Sequence, residues 1–327
     1  MRYLTMLCIT ASFLAGCTTT PATQIQAFGD STKAITDKVD AVIGEYNQSA
    51  LARIHTDLAA TYNKQFANGL TSKTLEDVAQ PIDDKTKRGF AMYRANRALG
   101  EYAKSLSALA SAGSRADIDL ATAKLYGAMS GINTQYRNMK SDNADLFNLD
   151  DFAGVAKVVA AIGSTIVEEK RNEAIKRIVT SADAKISLLC DTINKQLEDS
   201  GIHDGISASR QYVLSEEIRQ YKGQVQKDTT LDWRRNEIKR LYELKKGVSE
   251  SRLLVQNAQK AILAVKSAHG TLASELKKDK YSSEAIAMAI GRLRDLEKHY
   301  DNYETLLLEC KKIEKDDKGI LSCGDKP

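Results

Sequence analysis

Ile175-Lys176-Arg177-Ile178-Val179-Thr180-Ser181-Ala182-Asp183-Ala184-Lys185-Ile186-Ser187-Leu188-Leu189-Cys190-Asp191-Thr192-Ile193-Asn194-Lys195-Gln196-Leu197 is the stretch whose reading decides the fold. Ile175, Ile178, Ala182, Ile186, Leu189, Ile193 and Leu197 recur in steps of three and four, the repeat of a helix that buries one face. The mean step stays close to that of a straight α-helix, so the apolar face keeps an almost straight line. Ser200-Gly201 ends the helix, and upstream it runs back through a solvated polar belt, Glu168 to Asn172.

The same spacing recurs on both sides. Upstream, Ser31 caps a first helix with a stripe at Ile35, Val39, Val42, Tyr46, Ala50, Ile54, Leu58, Tyr62 and Phe66, closed by Asn68-Gly69. A short piece, Ser72 to Ala79, stops before Pro81. Asp83-Asp84 then open a helix running to Ser111, their carboxylates facing its amino-terminal dipole. Beyond Ala112-Gly113-Ser114, the stretch to Met139 carries Ile118, Leu125, Met129, Ile132 and Tyr136. Lys140 to Asp151, rich in turn and cap residues, is the clearest internal boundary.

Downstream, a helix rises from Ser207 with Leu214, Ile218, Tyr221 and Val225 inward. It slips phase around residues 227 to 232 and recovers with Ile238, Leu241 and Tyr242 inward. Leu254, Ala258, Ala261, Val265, Ala268 and Leu272 form the following stripe. The last helix, capped by Ser282 or Ser283, places Ala289, Leu293, Leu296, Tyr300, Tyr303, Leu307 and Cys310 by four and three. Such a seam requires partner helices, and the neighbouring stripes supply them. The prediction is an all-α fold: an elongated antiparallel bundle of long, coiled-coil-like helices, as one bundle or as two meeting near residues 140 to 150. Three prolines in 327 residues, 6% aromatics and no alternating strand pattern agree with it.

The amino terminus reads differently. Arg2 precedes a short apolar run, Tyr3 to Phe13, and no acidic residue occurs before Asp30. That is the layout of a secretory signal, too short to span a bilayer as a helix. Leu14-Ala15-Gly16-Cys17 follows and resembles the lipobox of bacterial lipoproteins. The resemblance implies cleavage before Cys17, thioether diacylation of Cys17 and acylation of the new amino terminus. Thr18, where Asp would favour inner-membrane retention under the lipoprotein sorting rule, implies the outer membrane, with the chain facing the periplasm.

Removing residues 1 to 16 leaves 311 residues, with 46 basic against 43 acidic side chains, about +3. A balance this even gives no nucleic-acid footprint. Cys8 leaves with the signal and Cys17 takes lipid, so Cys190, Cys310 and Cys323 remain. In an exported protein one pair and one spare thiol is the natural arithmetic. Lys315-Asp316-Asp317-Lys318-Gly319 can turn the chain back, which favours Cys310 with Cys323; Cys190 with either of the others is the alternative.

His55, His203, His269 and His299 are dispersed, read as solvated helix positions and a loop, with no metal-ligand spacing, and no phosphate loop or nucleophile elbow occurs. No catalytic residue, metal, cofactor or small-molecule substrate is expected. Tyr93-Arg94-Ala95-Asn96-Arg97-Ala98-Leu99 carries the Arg-Ala pair of peptidoglycan-binding domains without the mixed sheet those domains need, a coincidence of sequence. Phe152 to Val167 is the most apolar run after the signal, but it is short and contains Lys157, so it reads as buried helix. The candidate partner site is Trp233-Arg234-Arg235, the only tryptophan beside two arginines, residue types that binding hot spots favour.

The chain therefore divides into a signal peptide at 1–16, a lipidated tether at 17–30, a helical region at 31–140, a long-helix bundle at 150–316 and a tail at 317–327. The expected role is a membrane-anchored, non-enzymatic scaffold, adaptor or accessory binding subunit of the envelope. The alternative is an immunity or inhibitor lipoprotein that captures an exported toxin or hydrolase.

Overall fold

A computed structural model describes residues 22–63, 65–78, 84–140, 144–150, 167–199, 201–227, 229–278, 282–309, 313–315 and 321–323. The signal peptide, Cys17, Thr18, Lys157, Cys310 and most of Phe152 to Val167 lie outside the described residues.

The described chain is an all-α bundle. In order it has α1 (Ala22–Thr61), α2 (Ser72–Val78), α3 (Asp84–Ser111), α4 (Arg115–Lys140), α5 (Val167–Asp199), α6 (Ile202–Val225), α7 (Leu231–Lys277) and α8 (Ser283–Glu309). At 47 residues, α7 is about 70 Å long. Two short strands that no alternating pattern announced, β1 (Ile313–Lys315) and β2 (Leu321–Cys323), pair antiparallel with Ile313 opposite Cys323. The polar segment expected to turn the chain back, 315–319, lies outside the described residues apart from Lys315.

All seven positions of the deciding stripe, Ile175 to Leu197, are buried. So are Ile118, Leu125, Met129, Ile132 and Tyr136 on α4. Ser114 starts α4 with a reciprocal capping box: its Oγ accepts from Asp117 N at 3.2 Å, and its backbone N–H donates to Asp117 Oδ2 at 3.1 Å.

Three expectations are corrected and one open alternative is decided. Residues 22–30 are not a solvated tether but the first turns of α1, with Ile25, Phe28 and Ser31 buried. Ile25 and Phe28 stand in phase with Thr32, Ile35 and Val39, so their burial extends one stripe backward. Second, of one bundle or two meeting near residues 140 to 150, the described residues form one. α1 packs on α3, α6, α7 and α8, and one hydrophobic cluster runs from Ile25 to Leu293. The segment after α4 is pinned: Asn133 Nδ2 donates to the Phe147 carbonyl and Phe147 N–H to Asn133 Oδ1, both at 2.7 Å, with Phe147 buried.

Third, Arg171 in the supposed polar belt is tucked inward, and its Nη1 donates at 2.7 Å to the Ala112 carbonyl just past the end of α3. Fourth, His269 is not solvated. It lies fully inside, where Nδ1–H donates to Asp183 on α5 at 3.0 Å and Nε2 accepts from the Tyr102 hydroxyl on α3 at 2.9 Å. Phe28 of α1 meets the same ring edge-on at 5.8 Å. The hydrogen bond from His269 holds the Asp183 carboxyl below its usual range, and burial pushes the Tyr102 phenol above its own.

The contacts fix helix directions. Asn96 reaches Thr36 and Asp40, while Ser107 reaches Asp30, so α3 runs antiparallel to α1. Asp191 meets Lys266 and Asp183 meets His269, so α5 opposes α7 at its carboxy-terminal half. Arg240 meets Glu217, so α6 opposes α7 at its amino-terminal half. Hence α5 and α6 run the same way, one after the other, along a single longer helix. Gly201, at φ 67°, makes the left-handed joint between them.

At the α1–α3 seam the backbones approach closely: a Cβ on Gly29 would collide with the Ala103 carbonyl oxygen and Ser107. Gly29→Ala is therefore expected to lower stability by about 1–3 kcal/mol in urea unfolding, although alanine is the better helix former. Gly127→Ala, where nothing lies within 4 Å, is expected to raise it by up to about 1 kcal/mol. Burial lifts the Asp40 carboxyl at the same seam to about 6, from an ordinary 3.8, despite the hydrogen bond from Asn96. Between those values the folded state holds more protons than the unfolded one, so stability falls as pH rises through that window. Asp40→Asn should accordingly raise the urea midpoint more at pH 7 than at pH 4.

Candidate interaction surface

Beyond Leu214 on α6 and before Ser251 on α7, the two helices leave the core. Among the described residues of 215–250, Leu241 is the only buried one. A helix pair without a core must be held by its own cross-contacts. Tyr221 and Trp233 stack with ring centres 5.8 Å apart and planes 3° from parallel. Arg240 bridges Glu217 on α6 at 2.6 Å and Glu237 on its own helix at 3.0 Å. Thr230 caps α7 by accepting from Trp233 N–H at 3.2 Å.

The base of this arm is tied to α1. Arg210 on α6 donates to Glu45 at 2.6 Å and to Ser251 on α7 at 3.3 Å. Farther out, the Tyr212 hydroxyl donates to Asp57, and the Arg53 guanidinium lies 5.3 Å over the Tyr212 ring. The phase slip at residues 227 to 232 is thus a turn between two helices, and α7 then runs unbroken through both stripes read downstream of it.

The structure separates the three predicted partner-binding residues. Trp233 is half-buried and spent on the stack with Tyr221. Arg234 folds back, its Nη1 donating to the Thr229 carbonyl. Arg235 stands exposed, paired with Asp232 at 2.7 Å on the same turn.

The residues missed are the apolar ones beside them. Leu231, Ile238 and Tyr242 are 62%, 52% and 55% exposed, although Ile238 and Tyr242 are expected to face inward. Val225, also expected inward, is exposed at the end of α6. Leu241 alone of that set turns toward α6, because Trp233, Glu237 and Leu241 share the face that α6 covers. At about 100° per residue, Leu231, Ile238 and Tyr242 fall within an arc of about 40°, centred about 120° round the helix from that face. Arg234, Arg235, Lys239, Lys245 and Lys246 flank that arc; Asp232 follows close beyond Lys239 and pairs with Arg235, while Glu243 and Glu237 lie farther round.

Elsewhere the chemistry is that of a core. Burial pushes the Cys190 thiol up to about 12, and Cys190 is free, which suits a structural side chain. Cys323 stands on β2, while Cys310 falls outside the described residues. No group of His, Cys, Asp and Glu among the described residues could hold a metal ion. A groove of about 400 Å³ between α3 and α4 is lined mainly by small side chains such as Ala98, Ala108, Gly127 and Gly131. None of the described helices is long and apolar enough to cross a membrane. No protein-family model matches the chain, nor does any curated protein or solved structure.

Trp233 is the only tryptophan, so its fluorescence reports the arm alone. With so few buried contacts, the arm should open at lower free energy than the core. In a urea titration the fluorescence transition is expected to precede the loss of far-ultraviolet ellipticity. Coincident transitions would mean that arm and core unfold as one unit.

Proposed function

We propose that this chain is a bacterial lipoprotein of the cell envelope, anchored through lipid on Cys17 to the periplasmic face of the outer membrane, and that it works as a non-enzymatic scaffold, adaptor or accessory binding subunit. The observation that carries the reading is Leu14-Ala15-Gly16-Cys17 behind a short apolar run, followed by Thr18. Two or three acyl chains give stable anchoring, where one chain binds only marginally. The anchor confines the bundle to a surface and raises its effective concentration for a partner held at, or passing, that surface.

The helix directions give the reading a geometry. α1 starts at Ala22, five residues after Cys17, so the membrane would lie at the α1 amino-terminal end. Asp57 lies beside Tyr212, and α6 continues to Val225. Counted along α1 from Ala22 to Asp57 and then along α6 from Tyr212 to Val225, the arm tip stands about 70 Å from that end. Such a molecule would hold a binding strip well clear of the bilayer that anchors it. The expected Cys310–Cys323 bridge belongs to the same reading: an oxidising compartment favours it, and β2 packs against α8, which ends at Glu309.

Palmitate labelling in living cells is expected to mark the protein, and Cys17→Ser to abolish both the label and recovery in the membrane fraction. Labelling that persists in Cys17→Ser, or no label on the parent protein, would overturn the anchored reading. A tight one-to-one complex with a toxin or hydrolase that this protein silences would replace adaptor by inhibitor.

A further inference from the structure

The outer face of α7 poses a question that the bundle does not answer. A helix stripe repeating by seven and four, as Leu231, Ile238 and Tyr242 do, is the pattern by which two helices pack along a seam. The stripes on α4, on α5 and on α7 from Ala258 to Leu272 are buried, yet these three side chains are each more than half exposed. Trp233 and Leu241 already serve the contact with α6, so the outer stripe is not surplus from that interface. Three large apolar residues in line on one solvent-facing helix form a patch of the kind that marks an interaction site.

Charge selects the occupant. Lys239, Lys245 and Lys246 border the stripe together with Arg235, whose partner Asp232 is the one acidic residue of this part of α7 near it; Glu243 and Glu237 lie farther round the helix. A second copy docking face to face would set these cations against their own counterparts, which is destabilising. A helix with apolar residues at matching three-four spacing and carboxylates along its flanks would meet both features together. We propose that the strip Leu231–Ile238–Tyr242 on α7 is the docking seam for an acidic amphipathic helix of a protein partner. This deepens the adaptor reading and rests on it for its biological setting, while the binding chemistry stands on the strip itself.

The test uses the full-length protein purified in a non-ionic detergent and a fluorescent three-heptad peptide with leucine at the seam positions and glutamate at the flanks. Anisotropy should register saturable binding that weakens as salt rises. Ile238→Asp, with its helix content checked by circular dichroism, should weaken binding by about tenfold or more. Changing Arg235, Lys239 and Lys245 together to glutamate should weaken the glutamate-flanked peptide and favour a lysine-flanked one. The proposal is overturned if the parent protein takes both peptides equally or neither, or if Ile238→Asp binds unchanged. It is overturned equally if the strip instead binds phosphatidylglycerol vesicles, or drives self-association in sedimentation that Ile238→Asp abolishes. Failure here leaves palmitate labelling of Cys17 untouched, and failure of that labelling leaves the peptide result standing, so the two readings fall separately.

Discussion

Four helices drawn from both halves of the chain meet at one imidazole. His269 on α7 receives a hydrogen bond from Tyr102 on α3, donates one to Asp183 on α5 and packs against Phe28 on α1. Both ring nitrogens are out of water, and a buried polar atom without its partner costs about 1–3 kcal/mol. That asymmetry does what the apolar stripes cannot. Rows of Ile, Leu, Val and Ala at three-four spacing can slide past one another by a turn or a heptad and still find apolar neighbours. An imidazole held at one end by a phenol and at the other by a carboxylate fits only one register. Asn133 on the Phe147 backbone and Arg171 on the Ala112 carbonyl act in the same way on the connections.

The close seam between α1 and α3 follows from that register. Gly29 and Gly100 lie where the opposing backbone or Thr36 leaves no room for a Cβ, so the helices approach only when these glycines face the right turn of the partner. Asn96 then sits where it can reach both the Thr36 carbonyl and Asp40. Small residues set the distance and polar residues set the level. The apolar stripes supply the driving force along the whole length.

What could be read from the sequence divides along the same line. The stripe from Ile175 to Leu197 was legible because periodicity reports which residues share a face, and here every one of them is covered. Ile25 and Phe28 carried the same signal, but Pro21, a run of threonines and Gly29 disguised it as a tether. His269, Asn133 and Arg171 were illegible because their partners lie elsewhere in the chain, Tyr102 being 167 residues from His269. Ile238 and Tyr242 face solvent for a different reason: spacing says that they face one way and nothing about what covers that side. Trp233 is unusual in the sequence, but its chemistry is spent inside the arm, and the exposed surface belongs to its neighbours.

An arm with a single buried residue among those described between 215 and 250 would be a poor helix on its own, since starting a helix is the unfavourable step and extension is cheap. Here the start is already made. α7 is one 47-residue helix whose carboxy-terminal half is locked in the core around His269, so its outer half is extension from an existing nucleus. Arg240, the Tyr221–Trp233 stack and the Thr230 cap then need only hold α6 alongside. The outcome is a strip that is straight and exposed, and weakly packed without being unstructured. A partner helix meeting it would order few new groups, and the entropy that binding usually costs would fall mainly on the partner.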